Sequence, residues 1–516
     1  MKKMLKFVIN SAILGMLLLI GYVFYATYRN SAMTGVLTFY NASTPFRVLF
    51  LFYMVGISLF IIVDNNRPAK AISWLLIMIA FPIVGFLFYL AFGRSFRKEK
   101  LARAKKKYML KHLGNRANAQ LEFIKRADVF SNAVASKKLV NLLINNTHVP
   151  FCTDNDVTVF FDGKDMFEAL LSDIKKAEHH VHLEYYIIRD DETGRRLKDA
   201  LIEIARAGVE VRLIYDAVGS WRLSKRFLSD LRLAGVDCKP FLPVVLPFFS
   251  RQINYRNHRK VTVIDGVVGY LGGMNIGDEY LGLDSRVGYW RDTSMRIAGE
   301  SVASIEGYFL IDWVFVSGEE LPANRYLKDV YSSSQTVMQI MASGPDTDWE
   351  AMLQAYFLII ANATERVWIT TPYLVPSESI LEALKTAALS GVDVRIILPA
   401  NPDHFFVFWA SRANFKTLIN AGVKIYLYNE GFIHAKTIIV DCEISTIGTA
   451  NLDIRSLEIN FEINGFIYDK VIVEQLEAQY LKDIAKSTQI TKQMHRSRPW
   501  YHIIYESVGR LVSPLL

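Results

Sequence analysis

Cysteine is scarce in this chain: Cys152, Cys238 and Cys442 are the only three in 516 residues. They are scattered, with neither disulfide nor metal-ligand spacing, which excludes a disulfide-stapled scaffold and fits a reducing compartment and ordinary burial. A P-loop, a dinucleotide fingerprint and a zinc motif are also missing, so nothing in the chain points to a nucleotide or a nucleotide-activated substrate. Acidic side chains are the minority among the charges, 51 Asp and Glu against 59 Lys and Arg, for a net charge of +8. That balance suits an anionic partner, either nucleic acid or a membrane surface. Most histidines carry no pattern; His179, His180, His182, His404, His495 and His502 read as structural or surface groups.

Two histidines are different. His258-Arg259-Lys260 is followed after four residues by Asp265, and His434-Ala435-Lys436 is followed after four residues by Asp441. Each copy then runs into a glycine-containing turn that ends in asparagine, Gly272-Gly273-Met274-Asn275 and Gly448-Thr449-Ala450-Asn451. One such match could be an accident of composition; two with the same apolar flank and the same sequel are not.

The residue types define a chemistry. Neutral imidazole attacks phosphorus, and protonated imidazole donates to a leaving alkoxide. Lysine brings a compact positive charge to phosphate oxygens, and asparagine adds a neutral donor. On a strand, His258 and Lys260 project to one face, as do His434 and Lys436. Two copies set face to face would surround a phosphodiester with four basic side chains. No metal or other cofactor is called for, because the lysines neutralise the developing charge.

The duplication extends beyond the motifs. "ARAGVEVRLIYDAVG" in the first half matches "ALSGVDVRIILPANP" in the second, and "LRLAGVDCKPF" matches "LINAGVKIYLY". Each pair reads as a helix, a Gly-Val turn and a β-branched strand. This alternation predicts an α/β fold of two pseudo-symmetric mixed-sheet domains with largely buried strands. The offset between copies is 183 residues at the Gly-Val turn (208 to 391) and 176 at the histidine (258 to 434). The first half therefore carries seven extra residues, expected in "LPVVLPFFSRQINYR" just before His258. A period this long means two fused domains, not a solenoid. The expected division is 1–93 as a transmembrane region, 94–150 as a basic cytoplasmic linker, 151–340 as the first domain and 341–516 as the second with an amphipathic tail.

Three apolar runs support the first of these boundaries. Phe7–Tyr28 and Ala71–Phe92 have the length of a bilayer core, while Val48–Val63, at 16 residues, is at the short limit. Two or three spans result. The first run is longer than a signal-peptide core and has no A-x-A exit, so it reads as an uncleaved span. From Arg94 to Lys111 nine basic residues stand against Glu99 alone. The positive-inside rule places that stretch, and the catalytic domains after it, on the cytoplasmic side of a cell membrane; it can also meet anionic headgroups. The apolar loop Leu242–Phe249 beside the first histidine favours a lipid enzyme over a nuclease. Residues 499–516, "PWYHIIYESVGRLVSPLL", read as a helix docked on the catalytic domain or lying in the interface.

The doubled motif resembles that of the phospholipase D superfamily, and the chain from about residue 66 onwards is similar to the bacterial cardiolipin synthases. The resemblance is carried by "HLEYYIIRDDETG" (182–194), "NHRKVTVIDGVVGYLGGMNIGDEY" (257–280), "YWRD" (289–292), "TTPYLVPS" (370–377), "GFIHAKTIIVD" (431–441), "GTANLDIRSLEINFEIN" (448–464) and the terminal "RLVSPLL". Two departures, "GESV" at 299–302 in place of a proline after the glycine and the additional N-terminal apolar run, leave the motif residues untouched. The resemblance implies phosphatidyl transfer between two phosphatidylglycerol molecules through a phosphohistidine, giving cardiolipin and glycerol. Its partners are phosphatidylglycerol and other anionic membrane phospholipids, with no nucleic acid. It also implies a site of His258, Lys260, Asp265, His434, Lys436 and Asp441, with Asn275 and Asn451 on the phosphate. The two aspartates end their strands and brace local structure. Glu462 is expected to hold the imidazole of His434, and Asp292 that of His258. The repeat is nearly symmetric, so either histidine can be the nucleophile; His258 is favoured.

Overall fold

The computed structural model describes residues 44–65, 68–89, 134–148, 150–243, 255–345, 349–401 and 403–513. These form two compact units. The smaller contains helices Thr44–Asp64, Pro68–Ala80 and Pro82–Phe88. Ile57, Ile61, Trp74, Met78 and Tyr89 pack together inside it. The run expected as one span from Ala71 is broken at Phe81, whose backbone is non-helical (φ −138°, ψ 75°). Pro82 is the cause, since it disfavours the helical conformation in the residue before it. Among the described residues no helix is long and apolar enough to cross a membrane. The expected span Phe7–Tyr28 and the basic run 94–111 lie outside the described residues, as does most of the apolar loop 242–249.

All the described strands belong to the larger unit. In chain order they are β1 Asn155–Asp162, β2 His180–Tyr185, β3 Glu210–Asp216, β4 Asp237–Phe241, β5 Lys260–Ile264, β6 Val268–Gly272, β7 Trp290–Gly299, β8 Met338–Ser343 and β9 Arg366–Thr370. They continue as β10 Leu374–Val375, β11 Asp393–Pro399, β12 Lys424–Tyr428, β13 Phe432–Ile433, β14 Thr437–Val440, β15 Ile444–Gly448, β16 Leu452–Asp453, β17 Glu462–Ile467 and β18 Ser487–Gln489. The first sheet runs β1-β7-β6-β5-β2-β3-β4 and the second β8-β17-β15-β14-β9-β11-β12-β18. The orders are the same, strand for strand, apart from the extra β18. In both, three parallel strands adjoin an antiparallel set, so the α/β mixed sheets and the internal repeat are present as expected. The strands are buried on both faces (β2, β5, β8, β14 and β17 show no exposed residue), because helices cover each sheet.

The helix Val134–Thr147 falls in the segment expected to be a linker. Leu139 and Leu143 on it are buried in the core of the second half, beside Met352, Ile359 and Ile360. Each such leucine contributes roughly 1.5–3 kcal/mol by leaving water, enough to hold a short helix that would be marginal alone.

The aspartate of each motif has a definite structural place. Asp265 and Gly266, with φ of 53° and 69°, are the central residues of the turn between β5 and β6; Asp441 and Cys442, at 51° and 56°, are those of the turn between β14 and β15. Positive φ at both central residues is the hairpin turn that matches strand twist, and aspartate tolerates it. The Asp265 carboxylate accepts N–H bonds from Glu178, His179 and His180 at 2.9, 2.7 and 2.8 Å. Asp441 does the same for Thr364, Glu365 and Arg366 at 2.7, 2.8 and 2.9 Å. Both tie the start of the neighbouring central strand to the hairpin.

Candidate active site at the seam between the two halves

Short parallel pairings join the two halves. β13 pairs with the start of β7, Phe432 with Trp290 and Ile433 with Arg291. In the mirrored position Asn257 bridges to Phe461. Each motif histidine is thereby sewn to the opposite half: His258 N–H donates to the Phe461 carbonyl at 2.9 Å, and His434 N–H to that of Arg291 at 2.7 Å.

The residue after each of those carbonyls is a carboxylate. Nδ1 of His258 lies 3.0 and 2.9 Å from the two oxygens of Glu462, and Nδ1 of His434 lies 2.7 Å from Oδ2 of Asp292. The expected pairing is therefore corrected: Glu462 holds His258 and Asp292 holds His434, each across the seam. The reason is topological, since the strand that follows a histidine's own hairpin returns beside the partner half. With Nδ1 occupied, Nε2 of each ring is left for chemistry.

Lys260 and Lys436 share the face of their histidines and reach back to the histidine carbonyls; Lys260 Nζ is 2.8 Å from the His258 oxygen. Both lysines act on both imidazoles electrostatically. Burial pushes the Lys260 ammonium down to about 7, with Glu462 opposing and Lys436 reinforcing the shift. Burial lowers Lys436 to about 8, against the pull of Asp292 and Glu462. Burial also lowers both imidazoles, His434 to about 3 with Lys436 adding to the effect. Asp292 goes the other way: burial alone would raise it, but Lys436 and His434 hold it below the ordinary carboxylate range. At neutral pH the ligand-free site thus has neutral imidazoles facing partly charged lysines.

Asn275 and Asn451 occupy matching places. The Asn275 side-chain oxygen accepts the Ile187 N–H at 3.0 Å, which fixes its amide orientation. Asn451 precedes β16, which pairs with β10, just as Ile276 bridges Ile188 in the first half. The glycine of the first turn is explained by contact: a Cβ on Gly273 would run into the Asp292 carboxylate. So the turn that presents Asn275 also packs on the group that holds His434.

Several neighbours stand inside the quoted motifs without having been singled out there. Tyr186 packs edge-on against His258, ring centres 5.0 Å apart, with Lys260 Nζ 5.3 Å from its centroid. Trp290 packs against His434 at 4.9 Å. Arg259 pairs with Asp312 and donates to the Glu462 carbonyl at 3.3 Å, and Arg291 pairs with Asp483 at 2.9 Å. Arg291–Asp483 and the Arg259–Glu462 bond cross the seam; these arginines stand in the quoted motifs "NHRK" and "YWRD", the available hint. Asp265 and Asp441 sit at the far ends of their strands, a span of roughly 16 Å for five residues, away from the imidazoles.

Among the described residues one cluster has metal-ligand composition: buried His180, His182 and Glu306. Nδ1 of His182 is 2.6 Å from Glu306, and Nε2 is 3.2 Å from the Arg212 guanidinium. A guanidinium is donor only, so Nε2 accepts and Nδ1 carries the proton. That leaves His182 no lone pair for a cation, and the cluster is a buried hydrogen-bonded group of the first half.

Comparison with known proteins identifies the family. Residues 170–305 and 356–484 match the family described as "Cardiolipin synthase, PLD-like domain", and residues 50–94 match "Phospholipase_D-nuclease N-terminal". The chain is 44% identical to a cardiolipin synthase of Halalkalibacterium halodurans over 91% of its length and 94% of the relative's. It is 44% identical to the major cardiolipin synthase of Bacillus subtilis over 91% and 99% of the two chains. The chain belongs to the cardiolipin synthase family. Among solved structures it is similar to the phosphatidylserine synthase of Haemophilus influenzae, with a TM-score of 0.56 and 14% identity over 74% of this chain and all of that one. That likeness concerns the fold alone.

Proposed function

We propose that this protein is a membrane-associated phosphatidyltransferase that joins two phosphatidylglycerol molecules into cardiolipin and releases glycerol. The observation that carries the reading is the crossed pair of histidine–carboxylate bonds, which leaves two imidazole Nε2 atoms and two ammonium groups to share one phosphate. Nε2 of His258 attacks the phosphorus of the first lipid, forming an N–P bond. The P–O bond to the headgroup glycerol breaks, and His434, protonated as the anionic substrate binds, gives its proton to the departing oxygen. Lys260, Lys436, Asn275 and Asn451 hold the phosphate oxygens as charge builds on them. Neutral His434 then takes the proton of a terminal hydroxyl on the second phosphatidylglycerol, whose oxygen forms the new P–O bond as the N–P bond breaks. One phosphodiester replaces another, so the exchange needs no external energy source. Glu462 and Asp292 keep each ring in the tautomer the step requires and stabilise the imidazolium.

The N-terminal apolar helices anchor the enzyme in the membrane, as a multi-pass segment if Phe7–Tyr28 also spans, and the basic run after them puts the catalytic unit on the cytoplasmic side. The test uses the purified full chain in phosphatidylglycerol vesicles, following cardiolipin, glycerol and phosphatidic acid. Equal amounts of cardiolipin and glycerol, lost in His258→Ala and His434→Ala, support the transferase. Phosphatidic acid as the main product makes the site a hydrolase instead.

A further inference from the structure

The last helix, Trp500–Val512, docks on the helix Phe405–Ala413 of the second half. His502 packs against Trp409 with ring centres 4.8 Å apart, and a Cβ on Gly509 would run into the Ala410 backbone. Between them Glu506 is buried and paired with Arg498 at 2.9 Å. Residues 502, 506 and 509 form one stripe of the helix, and half a turn away lie Trp500, Ile504, Val508 and Leu511. Those four are exposed, Trp500 and Leu511 by 72% and 75%. Phe405 and Phe406 are exposed beside them. Ring contacts make the surface continuous: Phe405 with Tyr505 at 5.7 Å, Tyr505 with Tyr501 at 6.0 Å, and Tyr501 with Trp500 at 6.2 Å.

The charges around this surface have one sign. In 404–420 and 491–513 the exposed charged side chains are Lys416, Lys492, Arg496 and Arg510, and the one acid in those stretches is the buried Glu506. Asp403, just outside them, is bonded to the Tyr373 hydroxyl. Two copies set face to face would bring like charges together, whereas an anionic lipid surface complements them. Tryptophan and tyrosine favour the headgroup level of a bilayer. At 13 residues the helix is roughly 20 Å long, too short to cross a bilayer, so its place is along the surface.

Hydrogen bonds connect the same surface to the catalytic seam. Ser411, on the helix that carries Phe405 and Phe406, accepts the Leu374 N–H at 3.0 Å. Leu374 lies in β10, whose partner β16 begins directly after Asn451. The first half has a smaller version of the arrangement. Ser220 accepts the Ile188 N–H at 3.0 Å, and Ile188 bridges to Ile276, directly after Asn275. Next to Ser220 stands Trp221, 70% exposed. An exposed aromatic is thus tied through two hydrogen-bonded steps to each motif asparagine.

We propose that Phe405, Phe406 and the outer face of Trp500–Val512 form a membrane-docking surface that seats the catalytic unit on an anionic bilayer beside the seam. The inference rests on the transferase reading for its lipid substrate and adds how that lipid is reached. With the unit seated there, a phospholipid presents its phosphate to the site while its acyl chains stay in the bilayer.

Lipid-depth labelling tests it in the full chain. In a Cys442→Gly background, which removes the partly exposed native thiol, a fluorophore is placed on Ile504→Cys or, as control, on Leu389→Cys. Leu389 is exposed at the other end of β11 from Phe405. In phosphatidylglycerol–phosphatidylcholine vesicles with spin-labelled acyl chains, quenching at 504 should exceed that at 389 by about threefold or more, and should weaken in phosphatidylcholine alone. The triple variant Trp500→Ser, Ile504→Ser, Leu511→Ser should lower the vesicle-to-micelle ratio of cardiolipin formation about tenfold, because three apolar side chains lose their place in the bilayer. Equal quenching at 504 and 389, or a triple variant with the wild-type ratio, overturns the surface. Cross-linking of Ile504→Cys between copies, without quenching by lipid, assigns the face to a second copy and also overturns it. Strong quenching at 504 in an enzyme that yields phosphatidic acid keeps the surface and overturns the transferase reading alone.

Discussion

Because the carboxylates cross the seam, each half holds the histidine of the other, and a double-mutant cycle reads that arrangement. The perturbations are Asp292→Asn, Glu462→Gln, His258→Ala and His434→Ala, singly and in pairs. In the structure Asp292 lies 2.7 Å from Nδ1 of His434, and Glu462 lies 2.9 and 3.0 Å from Nδ1 of His258. Both imidazoles are neutral donors to buried carboxyl groups, and hydrogen bonds to charged partners contribute about 1.5–3 kcal/mol net. The crossed pairs, Asp292 with His434 and Glu462 with His258, should therefore show coupling energies of about 1.5–3 kcal/mol in unfolding free energy. The same-half pairs make no direct hydrogen bond and are linked only through the shared lysines, so their coupling should be clearly smaller. The assay is urea unfolding of the full chain in detergent micelles, followed by tryptophan fluorescence. Larger coupling for Asp292 with His258 than with His434 would refute the crossed arrangement.

Other consequences are separately measurable. With Lys260 at about 7 and Lys436 at about 8 in the ligand-free site, kcat/KM should decline as pH rises through about 7–8, where the ammonium groups proposed to hold the phosphate are lost. A pH profile flat to 10 would contradict those values. Asp265→Ala and Asp441→Ala each leave three backbone N–H groups without their carboxylate, a loss of about 2–4 kcal/mol in stability. The activity of the folded fraction should stay within a few-fold of wild type, and a selective collapse of kcat in a fully stable variant would assign these residues a chemical role. Cys442, at φ 56° in the turn between β14 and β15, should be improved by Cys442→Gly, raising stability by about 1 kcal/mol because glycine has no Cβ to strain there.

Much of this was legible in the sequence because it is local. The repeat of His-x-Lys on alternating strand positions, the turn aspartates and the asparagine after each turn all lie within a few residues of one another, and the matching Gly-Val turns revealed two like sheets. The partners of the histidines were not legible. Glu462 follows His434 and Asp292 follows His258 in the chain, so chain order suggests pairing within a half, whereas the contact is set by β13 lying against β7 and Asn257 against Phe461. The helix Val134–Thr147 was hidden by its neighbours, a strongly basic stretch that reads as linker until Leu139 and Leu143 are seen in the second core. Pro82 did carry a local signal for the break at Phe81, outweighed by the apolar run around it.

The central claim is that the reaction passes through a covalent phosphohistidine at the seam, and trapping it is the most direct test. Full-length enzyme is mixed with phosphatidylglycerol, quenched within one turnover, digested and mapped by mass spectrometry under conditions that preserve N–P bonds. The account predicts a phosphatidyl group on His258, absent in His258→Ala and strongly reduced in Glu462→Gln. Cardiolipin formation with no adduct on either His258 or His434, in wild type and in a His434→Ala variant slowed at the second step, would contradict it.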